Sequence, residues 1–256
     1  MKKIKFIQIN IFKGKYLDSL VAFLAREDPD FIAMQEVTTR GFNLMGDKDA
    51  NLFEELSKRL GMDGVYHGDL KLRDDPLATF GNAVFSKTKI LSKKVIVLKT
   101  FEPVTLEELD GESAAEIRPL ISRHLLTAQV NLFGKEIAIL SWHGAWTAPP
   151  VDTAETLRQS RLVANYLSSL KTHFILGGDL NNTPDSKTVG LVSKVANNLM
   201  FGSSVVQTTH PKIHKIAPRG FLIDYVFVSP HFRLVSIKVP QVLISDHLPV
   251  VAVLEI

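Results

Sequence analysis

The feature that most constrains this chain is a set of short apolar runs, each ending abruptly at a polar residue. They cover positions 4–11, 31–35, 83–85, 90–98, 120–132, 136–142, 173–176, 222–228, 234–239 and 250–256. Runs this short, apolar on consecutive residues, are the pattern of strands in a sheet covered on both faces. They predict a large β component.

Helical periodicity fills much of the space between them. Leu17, Leu20, Val21 and Leu24 recur at helical spacing, as do Leu52, Phe53, Leu56 and Leu60, and Leu157, Leu162, Val163, Tyr166, Leu167 and Leu170. Each set predicts an amphipathic helix with one buried face. Asp152 or Thr153 offers a cap for the third, and a shorter helix is expected after Pro184, Asp185 and Ser186. Strands and helices alternate near the N-terminus and again over 143–191, whereas 83–142 and 222–256 read as consecutive strands. That order predicts a mixed α/β fold with two packed sheets and outer helices. No linker, short repeat or charge block divides the 256 residues, so one domain over 1–256 is expected. The acidic stretch 99–118 reads as a surface excursion.

Composition narrows the function classes. Hydrophobic residues make up 45% and charged residues 22%, the mix of a globular protein. The balance of 30 Lys and Arg against 27 Asp and Glu suits a polyanionic substrate but falls short of a dedicated nucleic-acid binder. Without cysteine there are no disulfides or thiolate ligands, so a metal must sit on oxygen or imidazole. The first residues lack the apolar core of a secretory signal, and no run approaches the roughly 20 apolar residues of a membrane helix. A cytoplasmic location, no membrane span and no obligate protein partner are the expectations.

Four of the apolar runs end on a residue able to bind metal or phosphate. They deliver Asn10, Glu36, His143, and Asp179 with Asn181 two residues on. In α/β proteins ligands collect outside the carboxyl ends of the strands, so four such ends predict one shared cleft. Gly177 and Gly178 let the backbone approach closely there. Asp224 lies within an apolar run, where a carboxylate needs a hydrogen-bonding or cationic partner, and Ser245, Asp246 and His247 precede the closing run.

Together, Gly-Asp-Leu-Asn at 178–181, Ser-Asp-His at 245–247, Asn10, Gln35-Glu36 and Ile-Asp-Tyr at 223–225 resemble the endonuclease/exonuclease/phosphatase superfamily, the DNase I-like fold. The segments Gly-Asn-Ala-Val at 81–84 and Arg158-Gln159 are similar to the family too. The resemblance implies a four-layer α/β/β/α sandwich with two central mixed sheets and the site at one rim. It implies Glu36 as the principal Mg²⁺ ligand, with Asn10 and Asp246 completing the metal shell; Mn²⁺ suits the same oxygen donors. It implies His247 as base or transition-state stabiliser oriented by Asp224, Asp179 and Asn181 around the attacking water, and His143 on the phosphate or leaving oxygen. Whether Asp179 or His247 takes the proton stays open at this point.

Abasic-site endonucleases of the family carry Asn-x-Asp on the first strand and a tyrosine where this chain has His143. Here the residue two after Asn10 is Phe12. The histidine form resembles the DNase I, sphingomyelinase and phosphatase branches. Trp146, just after His143, is placed to stack a base or sugar. Lys212, Lys215 and Arg219, on the loop before Asp224, are candidate phosphate contacts, as is Arg123. For Lys71, Arg73, Arg118, Arg123 and His124 a solvated surface role weighs against this.

The reading is therefore an Mg²⁺-dependent phosphoesterase that hydrolyses a phosphodiester, in the manner of a nuclease, by in-line attack of water. The alternatives are a phosphomonoesterase or sphingomyelinase-like activity on a phosphorylated sugar, inositol or lipid head group, and a catalytically silent module binding phosphate ligands. The expected partner is a phosphate-ester substrate, with nucleic acid among the candidates. A zinc site fits poorly, because His210 and His214 are the only histidines four apart and they lie in a proline-flanked loop.

Overall fold

Two parallel strand pairs, each wrapped by a helix, organise the chain, which is described over residues 2–256 in a computed structural model. In the first pair β1 (Lys3–Asn10) connects through α1 (Leu17–Glu27) to β2 (Phe31–Thr38). After α2 (Leu52–Leu60) come the antiparallel strands β3 (Asp63–Lys71) and β4 (Thr79–Ser86), then β5 (Ile90–Lys99). Two short helices, α3 (Leu106–Asp110) and α4 (Ala114–Ile117), lead to β6 (Arg123–Leu132). In the second parallel pair β7 (Lys135–His143) connects through α5 (Ala154–Ser169) to β8 (His173–Asp179). The chain closes with α6 (Lys187–Ser193), β9 (Asn197–Asn198), β10 (Asp224–Val228), β11 (Arg233–Lys238) and β12 (Val250–Glu255).

Each sheet has six strands. Their orders are β11-β12-β1-β2-β4-β3 and β5-β6-β7-β8-β10-β9. Among the described strand pairs only β1/β2 and β7/β8 run parallel, so both sheets are mixed.

The layers follow from which apolar faces meet. Leu20, Phe23 and Leu24 of α1 and Leu52 and Leu56 of α2 pack on Ile7, Ile9, Ile32 and Phe85, the outer face of the first sheet. Phe6, Phe31, Ala33 and Val84 on its inner face meet Leu126, Ala128, Ile139 and Ile175 of the second sheet, and Val163, Leu167, Val189 and Val192 bring in α5 and α6. Each leucine or phenylalanine so buried contributes roughly 1.5–3 kcal/mol. The sheets approach closely at Gly177, where a Cβ would meet Gln8 Oε1 at 2.7 Å and the Ala33 Cβ at 2.9 Å. No helix among the described residues is long and apolar enough to cross a membrane.

Helix boundaries obey local chemistry. Asn51 caps α2 by accepting from Glu54 N, and Gly61 ends it in a left-handed conformation at φ 62°. Thr153 caps α5 in a reciprocal box with Thr156. Asp152 faces the other way, accepting from Lys187 N, Thr188 N and Thr188 Oγ1 at the start of α6.

Three expectations are corrected. The runs 120–132 and 222–228 become strands only from Arg123 and Asp224. β3 and β9 were not anticipated: β3 alternates polar residues along a sheet edge and β9 has two residues, so neither gives an apolar run. The stretch 99–118 is not a mere surface excursion, since it forms α3 and α4 and buries Val104 and Leu109 with Phe42, Leu70, Phe80 and Ile121.

Candidate active site

Both parallel pairs point their carboxyl ends to the same rim. Asn10 pairs in register with Gln35 at the end of β1/β2, and His143 with Asp179 at the end of β7/β8. Asp224 opens β10 directly opposite Asp179. Asp246 and His247 arrive on the segment before β12, pinned by the His210 N–H donating to Asp246 O at 2.7 Å and by the Leu248 N–H donating to Thr208 O at 2.6 Å.

Glu36 is presented by a bulge. The register of β2 against β4 shifts between Gln35 and Val37, and Glu36 takes φ 58°. A left-handed residue that is not glycine, set in a bulged strand, is a conformation that proteins concentrate at functional sites. Asn181 repeats the device at φ 53°, with its N–H donating to Asp179 Oδ1 at 3.0 Å.

The Glu36 carboxylate is incompletely satisfied. The Asn10 amide donates to Glu36 Oε1 at 3.3 Å and to Asp179 Oδ2 at 3.1 Å, whereas Glu36 Oε2 is buried with no partner. Burial raises the Glu36 carboxyl above its usual range, and the Asp246 charge raises it further. A buried, unpartnered carboxylate oxygen that also feels the charge of a second carboxylate in the same cavity fits a divalent cation, which relieves both the desolvation and the repulsion. The Asn10 oxygen accepts from Phe12 N at 3.1 Å, so as oriented the Asn10 amide bridges Glu36 to Asp179.

On the other side stands a chain of three groups. Asp224 Oδ2 lies 2.9 Å from His247 Nδ1, and His247 Nε2 lies 3.7 Å from Asp179 Oδ2. Burial alone would lower the His247 pKa, but the charges of Asp224 and Asp179 and the Asp224 hydrogen bond raise it well above the usual value. Burial pushes the Asp179 carboxyl up to about 7 against the pull of His247. His143, with Nε2 3.6 Å from Asp179 Oδ2, is held neutral first by burial and then by the Arg123 charge.

Beneath this layer a polar network crosses the sandwich. Gln8 Nε2 donates to Asp224 Oδ1 at 3.3 Å, Gln35 Nε2 donates to Ser141 Oγ at 2.9 Å, and the two glutamine amides bond each other. Thr208 Oγ1 accepts from Ile223 N and Asp224 N, each at 3.0 Å. Buried polar groups need such partners, and here they fix the Asp224 carboxylate.

A cavity of about 490 Å³ holds Asn10, Glu36, His143, Asp179, Asn181, Asp246 and His247, together with Trp146, Arg123, Lys215 and Arg219. Lys212 is absent from its lining, and Asp224 lies behind His247. The surface role weighed for Arg123 and His124 is corrected: they are 4% and 2% exposed. Arg123 Nε donates to Gly144 O at 2.9 Å, and His124 Nδ1 lies 2.8 Å from Asp69 Oδ2. Trp142 is buried, whereas Trp146 reaches the cavity with the Arg118 guanidinium 5.5 Å over its ring.

The sequence reading missed Gln8 and Lys13, and held His214 only as part of the loop before Asp224. His214 lines the cavity 5.5 Å from the His247 ring and, with Asp246 and His247, forms a group able to hold a metal. Only its place in the basic loop before Asp224 signalled it.

The profile of the Endonuclease/Exonuclease/phosphatase family matches residues 7–247. Among solved structures, an endonuclease/exonuclease/phosphatase from Bacteroides vulgatus superposes with a TM-score of 0.75 at 18% identity, covering 100% of this chain and 99% of that one. The mannosyl-6-phosphatase of Bacteroides thetaiotaomicron VPI-5482 gives 0.73 at 17% identity, covering 99% and 100%. D. rerio TDP2 complexed with a single-strand DNA product gives 0.73 at 16% identity, with complete coverage of both chains. No curated protein matches this chain by sequence. The shared architecture is the DNase I-like α/β fold.

Proposed function

The chain belongs to the endonuclease/exonuclease/phosphatase family, hydrolases of phosphate ester bonds, and on that premise we propose that it cleaves its ester by Mg²⁺-assisted in-line attack of water. The observation that carries this reading is Glu36 Oε2, buried and unpartnered, in the same cavity lining as Asp246, Asp179 and the His247 that Asp224 holds.

Glu36 and Asp246 would hold the cation, with Asn10 tying Glu36 to Asp179; oxygen donors suit Mg²⁺, and Mn²⁺ next. Once bound, the cation offsets the charge that grows on the phosphate oxygens. His247, kept protonated by Asp224, donates from Nε2 to a non-bridging phosphate oxygen. Asp179, with its raised carboxyl, takes the proton from water as the new P–O bond forms. Asn181 steadies that carboxylate through its backbone N–H. Neutral His143 can donate a hydrogen bond to the phosphate or the leaving oxygen. The breaking P–O bond leaves its electron pair on the ester oxygen, which is protonated from solvent, and no covalent enzyme intermediate is needed. Arg123, Lys215 and Arg219 line the cavity as candidate phosphate contacts.

The reading is tested by turnover of single- and double-stranded DNA, RNA, sphingomyelin, inositol phosphates and a chromogenic diester. Hydrolysis of one class with Mg²⁺, lost on chelation and restored by the metal, is expected. Binding without turnover of any of them would leave a phosphate-binding module instead.

A further inference from the structure

Phe42, Leu70, Phe80, Leu109 and Ile121 pack into one apolar cluster, and all five also line the cavity that contains Glu36 and His247. They come from the turn after β2, from β3, β4 and α3, and from the approach to β6. None is more than 8% exposed. Phe80 carries this surface up to the reacting groups, its ring centre 6.0 Å from the His143 imidazole.

The wall is fixed in place. Arg118 Nε donates to Leu109 O at 2.7 Å and Arg118 Nη2 to Asp110 Oδ1 at 2.6 Å, while the same guanidinium lies over Trp146. Asp110 also faces Lys13 at 3.7 Å, three residues past Asn10. The connection between β5 and β6 is thereby tied to both sides of the cavity.

None of the five wall side chains can donate or accept a hydrogen bond. A polyhydroxyl group pressed against them would lose water without gaining partners, whereas an alkyl or aryl group gains by leaving water. The cavity volume of about 490 Å³ falls within the range of roughly 300–1,000 Å³ of small-molecule pockets. Resting on the phosphoesterase reading, we propose that the substrate is a phosphate ester of a compact apolar alcohol. Its alkyl or aryl group packs against Phe42, Leu70, Phe80, Leu109 and Ile121, and its phosphate meets Glu36, Asp246 and His247.

The test is binding of methyl-, butyl- and benzylphosphonate, which cannot be hydrolysed at the P–C bond by this chemistry, measured by calorimetry with Mg²⁺. The Kd should fall about fourfold for each methylene buried, so butylphosphonate, with three more than methyl, should bind up to about 60-fold tighter, and benzylphosphonate at least about tenfold tighter. In Leu109→Ala and Ile121→Ala the ratio should shrink to about threefold or less. Thermal unfolding of each variant checks that it is folded; should one not fold, the wild-type series decides. A flat series, or no measurable binding of any phosphonate, overturns the proposal. Turnover of phosphate esters with a flat phosphonate series would reject the apolar subsite alone. A steep series with no turnover of any ester would reject the hydrolase reading alone.

Discussion

His247 Nδ1 lies 2.9 Å from Asp224 Oδ2, and neither side chain reaches solvent appreciably. The carboxylate therefore fixes the ring and holds its proton, leaving Nε2 as the donor that faces Asp179 and the cavity. Replacing Asp224 by Asn preserves the shape and the Gln8 contact but removes the charge. By analogy with the carboxylate of a catalytic triad, kcat should fall by about 10²–10⁴ with little change in KM. Steady-state kinetics beside a thermal melt separate this from unfolding. An unchanged kcat would show that the pair is only structural.

With Asp179 as the proposed base, its carboxyl, pushed up to about 7 by burial, should set a pH limb. A base must be ionised to accept a proton, so kcat/KM should rise as pH climbs through that value and level off above it. A nearby cation favours the charged carboxylate, so the limb should move to lower pH as Mg²⁺ is raised. Rate profiles at low and saturating Mg²⁺ check both statements. Persistence of the same limb in Asp179→Asn would assign it to another group.

Asp152 makes a stability prediction away from the chemistry. It accepts three hydrogen bonds at the start of α6, from Lys187 N at 2.8 Å, Thr188 N at 2.9 Å and Thr188 Oγ1 at 2.7 Å. Burial would raise its carboxyl pKa, but these bonds and the Lys187 charge outweigh that and lower it. A depressed folded value means the contribution is present above the unfolded value of about 3.9 and is lost as pH falls through the folded one. Asp152→Ala should cost about 1–2 kcal/mol at neutral pH, and the difference should narrow in acid. Urea unfolding at both pH values measures it.

Much of the fold was legible because a strand buried on both faces must be apolar on consecutive residues. The runs ending at Asn10, Glu36, His143 and Asp179 are such strands, and their shared rim follows from the two parallel pairs. β3 escaped because an edge strand such as Asp63–Lys71 has one face half open and no apolar run to show. The burial of Arg123 and His124 escaped because their partners, Gly144 O and Asp69, are far away in sequence. Gln8 reads as an ordinary polar residue on a strand, and only packing of one sheet on the other brings it to Asp224. The acidic stretch 99–118 misled for the same reason: its charge is visible in sequence, whereas the cavity beneath Leu109 is not.

The central claim is that the Glu36 carboxylate, with its Oε2 buried and unpartnered, exists to hold a cation on which hydrolysis depends. The most direct measurement is kcat/KM of wild type and Glu36→Gln as Mg²⁺ is titrated, with calorimetric Mg²⁺ binding alongside. The account predicts saturable activation in wild type, and in the variant a loss of about 10³ or more in kcat/KM together with weakened Mg²⁺ binding. Undiminished, chelator-insensitive turnover in Glu36→Gln, with Mg²⁺ affinity unchanged, would contradict it.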